Sequence, residues 1–208
     1  MIAEIDEANA TQLRQWWVKI PKTLYKSAGL KPEDEEAQRL IYDEIAGGLS
    51  NVDDGWVDFL TGFIDANDVN RRCSALFFLT NAGMDTDAVK AALDKAYKSK
   101  NLYLKGTALQ GYIQINYFPL IESDFDTVND EWLSAWGMKY MCKAYPRQKI
   151  EILEDALKSK NPLERSFACD IIGSELIEHL KPQLKPLLKD KNEHVAEAAA
   201  YIYHEILD

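Results

Sequence analysis

The chain has 208 residues, of which 47% are hydrophobic, and these figures fit one globular domain or one continuous array with a substantial core. Its 24 basic and 34 acidic side chains give a formal net charge of −10 at pH 7. This balance argues against nonspecific binding to nucleic acid phosphates and makes a basic protein the more plausible partner.

The N-terminal residues, MIAEIDEANATQ, are acidic where a signal peptide is basic, and no later run reaches 18 uninterrupted apolar residues. These features predict a soluble, cytoplasmic protein that does not bind membranes. The three cysteines, Cys73, Cys142 and Cys169, lie far apart without a CxxC pair. That spacing favours buried free thiols over a disulfide framework or a zinc finger.

Residues 1–50 are predicted to hold two helices. The first covers about residues 10–20 and is stopped by Pro21, and the second covers about residues 33–46 and is stopped by a Gly-Gly pair. Residues 1–60 carry 6 basic and 12 acidic side chains. We interpret this acidic segment as an N-terminal cap, continuous with the rest of the chain, and an independent functional extension is the alternative.

A pattern with a polar anchor residue recurs in the remaining segment, residues 51–208. A leucine lies eight positions before each anchor, apolar residues lie five and four before it, and an alanine lies seven after it. The four anchors are Asp68, Asn101, Asn161 and Asn192, and the four alanines are Ala75, Ala108, Ala168 and Ala199. The pattern predicts a helix, a polar turn and a second helix in each unit, with the alanine allowing close packing.

The anchors are spaced by 33, 60 and 31 residues, so the middle interval predicts a fifth, degraded unit. Anchoring this unit on Val128 places Leu120 eight positions before, Trp132 four after and Ala135 seven after. Polar residues replace the apolar pair, so its first helix is expected to be short or irregular.

Four segments resemble HEAT repeats: FLTGFIDANDVNRRCSA, ALDKAYKSKNLYLKGTA, ILEDALKSKNPLERSFA and LKPLLKDKNEHVAEAAA. HEAT units typically have an acid in the turn, and Asp190 matches this position. They also carry a valine and an arginine at the start of the second helix, where Val195 matches and Ala196 departs from the pattern. The basic position is occupied in the other units by Arg72, Lys105 and Arg165.

The resemblance covers residues 56–208 and implies an all-α fold. The expected architecture is a right-handed α-solenoid, an α-α superhelix, of about five helix pairs with residues 1–50 as the cap. Such a resemblance identifies an architecture and says little about function.

Enzyme motifs such as GxGxxG, GxxxxGK[ST], HExxH, GxSxG and the EF-hand loop are missing from the sequence. His194 and Glu197 could share one helix face, but His204 would lie about 15 Å along the axis from His194, too far to bind the same ion. We therefore predict no catalytic residue, no metal site and no cofactor.

An aromatic stripe is predicted on the second helix of the fifth unit, where Trp132, Trp136 and Tyr140 repeat at i, i+4 and i+8. Packing in the core is one interpretation, and partner binding on the concave face that the resemblance implies is the other. The predicted partner-binding residues are Trp132, Trp136, Tyr140, Arg72, Lys105, Arg165, Tyr201 and His204. For the three basic residues, pairing with turn acids of the neighbouring unit is the alternative role.

These features favour a non-enzymatic scaffold that binds a protein with a basic surface through its concave face. An acidic bacterial immunity protein that neutralises a basic toxin is a concrete form of this hypothesis. The alternative is a HEAT-like enzyme or small-ligand carrier, of glycosylase or lyase type, with an acidic and aromatic concave site. HEAT-like DNA glycosylases bind DNA on a basic face, and the net charge of −10 disfavours a DNA-binding enzyme of this kind.

Overall fold

The computed structural model describes residues 2–125 and 128–207, and every regular element within them is helical. The predicted all-α class is therefore confirmed. The chain divides into two compact units, Met1–Tyr117 and Phe118–Asp208. Residues 1–50 thus share a unit with residues 51–117. Within the described ranges, no helix combines the length and apolar character needed to span a bilayer.

Unit 1 contains eight α-helices in its described part. They are α1 (Ala3–Asp6), α2 (Ala10–Val18), α3 (Lys22–Ser27), α4 (Glu35–Val52), α5 (Trp56–Thr61), α6 (Val69–Asn81), α7 (Asp87–Tyr97) and α8 (Leu102–Gln114). Helix α6 lies between α4 and α8 and packs on both, while α5 packs on α4 and α6, and α7 packs on α6 and α8. The helices α4, α6 and α8 therefore form a row on which α5 and α7 pack.

The predicted end of the second helix at the Gly-Gly pair is wrong, because α4 continues through Gly47 and Gly48 to Val52. The packing of α4 explains why glycine is present there. An ideal Cβ at Gly48 would lie 3.1 Å from Ile5 Cγ2 and 3.2 Å from Leu13 Cδ1. The missing side chain lets α1 and α2 approach α4 closely.

Unit 2 contains α9 (Glu131–Ala144), α10 (Lys149–Ala156), α11 (Pro162–Ser174), α12 (Lys181–Leu184) and α13 (Glu193–Tyr201). Short 3₁₀ segments cover Glu122–Asp124, Glu178–Leu180 and Lys185–Lys189, and a π-helical turn covers Ile202–Ile206. Helix α11 lies between α9 and α13, and α10 packs on α9 and α11. Buried leucine and isoleucine side chains, such as Leu153, Ile172 and Leu184, form the core of this unit.

The four anchors found in the sequence each cap a helix N-terminus. Their side chains accept hydrogen bonds of 2.9–3.2 Å from backbone N–H groups in the first turn. The capping residues are Asp68, Asn101, Asn161 and Asn192, for α6, α8, α11 and α13. The four alanines seven positions later are fully buried. The predicted turn positions and buried alanines are thus confirmed.

The predicted anchor of the fifth unit, Val128, is two residues too early. Asp130 caps α9, accepting a 2.9 Å hydrogen bond from the Leu133 N–H. The residue seven positions after Asp130 is Gly137, and an ideal Cβ there would lie 2.6 Å from the Phe125 ring. Phe125 comes from the segment before α9 and occupies the space that an alanine side chain would need.

Four of the described helices end in the same C-terminal motif, in which one residue has a left-handed backbone. Its N–H bonds back three residues and the next N–H bonds back five, as in the Schellman motif. The left-handed residues are Gly29, Gly83, Asn116 and Leu176, with φ of +67°, +73°, +52° and +53°. Leucine is the unusual choice, because a Cβ in this region costs about 1–2 kcal/mol.

Leu176→Gly is expected to raise the free energy of unfolding by about 1 kcal/mol, because it relieves this strain and the Leu176 side chain is 62% exposed. The reverse change, Gly83→Ala, is expected to lower it by about 1 kcal/mol. The loss of stability in Gly83→Ala would come from the backbone conformation and not from a steric clash, since a Cβ at Gly83 would meet no atom within 4 Å. Urea denaturation followed by circular dichroism measures both changes, and a loss of stability in Leu176→Gly would contradict the argument.

Two further glycines mark close approaches between helices and their neighbours. An ideal Cβ at Gly111 of α8 would lie 2.6 Å from Leu93 Cδ2 of α7. A Cβ at Gly173 of α11 would collide with the side chain of Ile202. Both glycines are buried, so these bulky side chains fill the positions where a Cβ would stand.

Candidate binding surface on α9 and α11

Aromatic side chains from α9 and α11 meet at the surface of unit 2. The rings of Trp136 and Phe167 pack edge to face with centroids 5.4 Å apart. The Lys139 ammonium lies 5.0 Å from the Trp136 centroid and 5.5 Å from the Phe167 centroid. All three side chains are partly exposed, as is Trp132 one turn earlier on α9. We call these four residues the aromatic surface.

Polar contacts fix the N-terminal ends of α9 and α11 against each other. The Asn161 side-chain amide donates a 2.7 Å hydrogen bond to the Glu131 carbonyl oxygen, and the Ser134 hydroxyl donates to the Glu164 carboxylate. Asn161 is only 9% exposed, so its bond is protected from water. The two helices therefore present their aromatic rings from a preorganised backbone.

The electrostatics of the aromatic surface combine one cation with a nearby acid. Asp170 lies one turn after Phe167 on α11, and partial desolvation raises the pKa of its carboxyl group, an effect that the Lys139 charge opposes. The Trp136 indole N–H is buried and finds no acceptor among the described residues. A cation from a partner placed beside Asp170 would favour its ionised form.

Tyr140, the third residue of the predicted stripe, is fully buried. Its hydroxyl accepts a 2.9 Å hydrogen bond from the Leu120 N–H and lies 3.2 Å from the Leu120 carbonyl oxygen, to which it donates. Its ring packs on Phe118 and Phe125. Four residues turn an α-helix about 40° beyond a full turn, so a stripe at i, i+4 and i+8 rotates by about 80°. Tyr140 therefore points into the core.

The predicted basic residue Arg165 lies in unit 2 and is engaged within the chain. Its Nε and Nη2 each lie 2.8 Å from a carboxylate oxygen of Asp190, in the turn before α13. Its Nη1 donates to the carbonyl oxygens of Ser159 and Lys160. These contacts match the alternative role, pairing with an acid of the next turn.

The other two basic residues lie in unit 1. Arg72 is 9% exposed and lies 3.5 Å from the Ala92 carbonyl oxygen of α7. The Lys105 ammonium lies 5.5 Å from the centre of the Tyr97 ring. Both side chains stabilise contacts between helices of unit 1.

The two predicted C-terminal residues lie at the surface of unit 2. Tyr201 is 58% exposed at the end of α13, and His204 is exposed and packs edge to face on Tyr203. His194 and Glu197 approach within 3.8 Å, but both side chains are largely exposed. Among the described residues, no group of three His, Cys, Asp or Glu side chains could hold a metal ion.

The cysteines Cys73, Cys142 and Cys169 are free and buried, as predicted. Burial raises the pKa of Cys142 and of Cys169 to about 12. At neutral pH these two thiols are therefore protonated, which makes them poor nucleophiles.

Phe167 and Lys139 are the members of the aromatic surface that sequence reasoning missed. A signal for Phe167 exists once the fifth anchor is placed correctly. Trp136 lies six positions after Asp130, and Phe167 lies six positions after Asn161. With the anchor placed at Val128, the sequence does not show that Trp136 and Phe167 occupy the same position in their units.

No protein-family model matches the sequence, and neither does any curated protein. Only the residues of the chain itself therefore indicate a function.

Proposed function

We propose that the chain is a non-enzymatic protein-binding scaffold of the HEAT type, a right-handed α-solenoid whose aromatic surface binds a protein with a basic surface. The observation that carries this proposal is the Trp136, Phe167 and Lys139 cluster on two tied helices. Large aromatic side chains dominate the binding energy of many protein interfaces.

The rigidity of α9 and α11 supports a binding role. A preformed surface loses little conformational entropy on association, so more of the contact energy becomes affinity. The Asn161 and Ser134 hydrogen bonds restrain the two helices before any partner arrives. The aromatic surface can therefore act without a folding transition.

The charge of the chain supports a basic partner. A net charge of −10 accelerates encounter with a cationic protein and repels an acidic one. A nuclease toxin needs a basic surface to hold nucleic acid, so an immunity protein that neutralises such a toxin is a concrete form of this proposal.

The test compares capture of a partner from source lysate by the tagged wild-type chain and by the Trp132→Ala, Trp136→Ala double variant. We expect the wild type to retain one stoichiometric protein. The double variant is expected to bind that purified protein about 30-fold more weakly by calorimetry, because two aromatic anchors are lost.

Val52→Ala is a matched control, since Val52 is 51% exposed in unit 1 and far from α9 in sequence. It should bind like the wild type. Retention of the partner by the double variant would contradict the role of the aromatic surface. A chain that retains no protein but retains a chromophore or metal would favour the enzyme or ligand-carrier alternative.

A further inference from the structure

Unit 1 carries a second set of exposed apolar side chains, on the row of helices α4, α6 and α8. Leu40 of α4 is 48% exposed, Phe77 of α6 is 37% exposed and Tyr103 of α8 is 43% exposed. We call these three residues, with Glu36, Arg39 and Asp43, the α4/α6/α8 face. Contiguous exposed apolar side chains on a folded protein commonly mark an interaction site.

Side-chain contacts connect the three helices at this face. The Asp43 carboxylate of α4 accepts a hydrogen bond of 2.5 Å from the Ser74 hydroxyl of α6. The Arg39 guanidinium of α4 lies 5.1 Å from the centre of the Tyr103 ring of α8. Side chains of α4 thus reach α6 and also α8, the next helix in the row.

Helix α7 covers part of α6 and α8. Arg72 of α6 reaches the Ala92 carbonyl oxygen of α7, and Leu93 of α7 packs on Gly111 of α8. The helices of unit 1 therefore bury one side of α6 and α8 and leave Phe77 and Tyr103 in contact with solvent.

The negatively charged side chains at the edge of this face favour binding of a cationic group. A cleft of about 280 Å³ beside α4 is lined by three carboxylates, those of Asp34, Glu36 and Asp43, and by one guanidinium, that of Arg39. Leu40 also lines this cleft, next to the acids. Three carboxylates against one guanidinium give the lining of the cleft a formal excess of negative charge. Desolvation raises the pKa of Asp43, and a bound cation would offset that cost.

The geometry fits a helix as the occupant. The axes of packed helices lie about 8–10 Å apart, so the axes of the outer two of three helices in a row are about 16–20 Å apart. Three turns of an α-helix span about 16 Å, so one helix laid across the row can reach all three apolar side chains.

We infer that the α4/α6/α8 face binds an amphipathic helix of a partner protein, with leucine-like side chains on Leu40, Phe77 and Tyr103 and a lysine or arginine in the acidic cleft. This inference does not depend on the aromatic surface of unit 2. It assigns unit 1 an interaction site of its own.

The test uses two designed 18-residue peptides and the full chain. One peptide has leucine at i, i+3, i+4 and i+7 with lysine elsewhere, and the other has glutamate in place of lysine. We expect the lysine peptide to bind and to protect α4, α6 and α8 from hydrogen exchange. The Leu40→Ser, Phe77→Ser double variant should bind it at least tenfold more weakly. Val52→Ser should bind it like the wild type.

A second pair of variants separates the cleft from the overall charge. Glu36→Gln with Asp43→Asn should weaken binding of the lysine peptide about tenfold. Asp54→Asn with Asp58→Asn removes the same charge from exposed positions elsewhere in unit 1 and should have little effect. These two charge variants also test the inference if the Leu40→Ser, Phe77→Ser variant does not fold.

Several results would overturn the inference: no binding of the lysine peptide, equal binding of the glutamate peptide, or equal weakening by the two pairs of charge variants. The Trp132→Ala, Trp136→Ala variant should bind the lysine peptide like the wild type. Loss of lysine-peptide binding in that variant would show that the peptide binds to unit 2. Failure of partner capture through the aromatic surface would leave the peptide result intact, so the two proposals fail separately.

Discussion

Trp17→Ala is expected to lower the free energy of unfolding by about 4 kcal/mol, the largest effect of any substitution described for this chain. Trp17 is fully buried, and its ring packs edge to face on Tyr42 of α4 and on Phe63, with centroids 5.2 Å and 5.8 Å away. Its removal leaves a cavity between α2 and α4. Urea denaturation of the full chain measures the loss.

Trp17→Phe is the matched control, with an expected loss of about 1–2 kcal/mol. The smaller ring removes volume, but it also removes a buried indole N–H that has no acceptor among the described residues. Trp16→Ala, at a partly exposed neighbouring position, should cost less than about 1 kcal/mol. An unchanged stability in Trp17→Ala would contradict the packing of Trp17 on Tyr42 and Phe63.

The ion pair between Arg165 and Asp190 gives the second large effect. Their side chains are 14% and 8% exposed, and two hydrogen bonds of 2.8 Å join them. Arg165→Met is expected to lower the free energy of unfolding by about 3 kcal/mol, because it leaves the buried carboxylate of Asp190 without its cation. The measurement is urea denaturation at pH 7.

The same pair predicts a dependence on pH. Hydrogen bonding from Arg165 lowers the pKa of Asp190 below its ordinary value. A lowered pKa in the folded state stabilises the protein above the unfolded-state pKa of about 4, and this stabilisation is lost as the pH falls through the folded-state value. The stability difference between the wild type and Asp190→Asn should therefore shrink from pH 6 to pH 3.

A surface ion pair serves as the control for this argument. Lys95 and Asp65 lie 2.7 Å apart, but their side chains are 63% and 61% exposed. Solvent screens such a pair, so Asp65→Asn should cost less than about 0.5 kcal/mol at pH 6. A loss at Asp65 equal to that at Asp190 would contradict the assignment of the large effect to burial.

The sequence predicted the turns because the chemistry of a helix cap is local. An Asp or Asn that accepts a hydrogen bond from an N–H group three residues later needs no distant partner, so Asp68 and Asn192 could be recognised from their neighbours. The buried alanines were recognised because their spacing from the caps is constant. Both signals lie within a single helix-turn-helix segment.

The fifth unit could not be placed correctly for a tertiary reason. Its second helix packs against Phe125, which comes from an irregular segment, and Gly137 replaces the expected alanine. No local sequence pattern indicates that a glycine replaces the alanine at this position. Placing the anchor at Val128 instead of Asp130 shifted every position of the fifth unit by two residues. Because of this shift, the sequence did not show that Trp136 and Phe167 occupy corresponding positions.

The candidate surface was predicted only in part. Trp132 and Trp136 were identified from their spacing, but Tyr140 is buried because the stripe rotates around α9. Lys139 was missed because its role depends on its position over two rings from different helices. Contacts between helices of this kind require the packing of α9 on α11, which spacing alone does not define.

The two buried glycines of α8 and α11 also constrain how this sequence can diverge. Ile202 occupies the place of a Cβ at Gly173, and Leu93 occupies the place of a Cβ at Gly111. A larger residue at either glycine is tolerated only when its neighbour becomes smaller. Homologous sequences should therefore show coupled substitution at 173 with 202, and at 111 with 93.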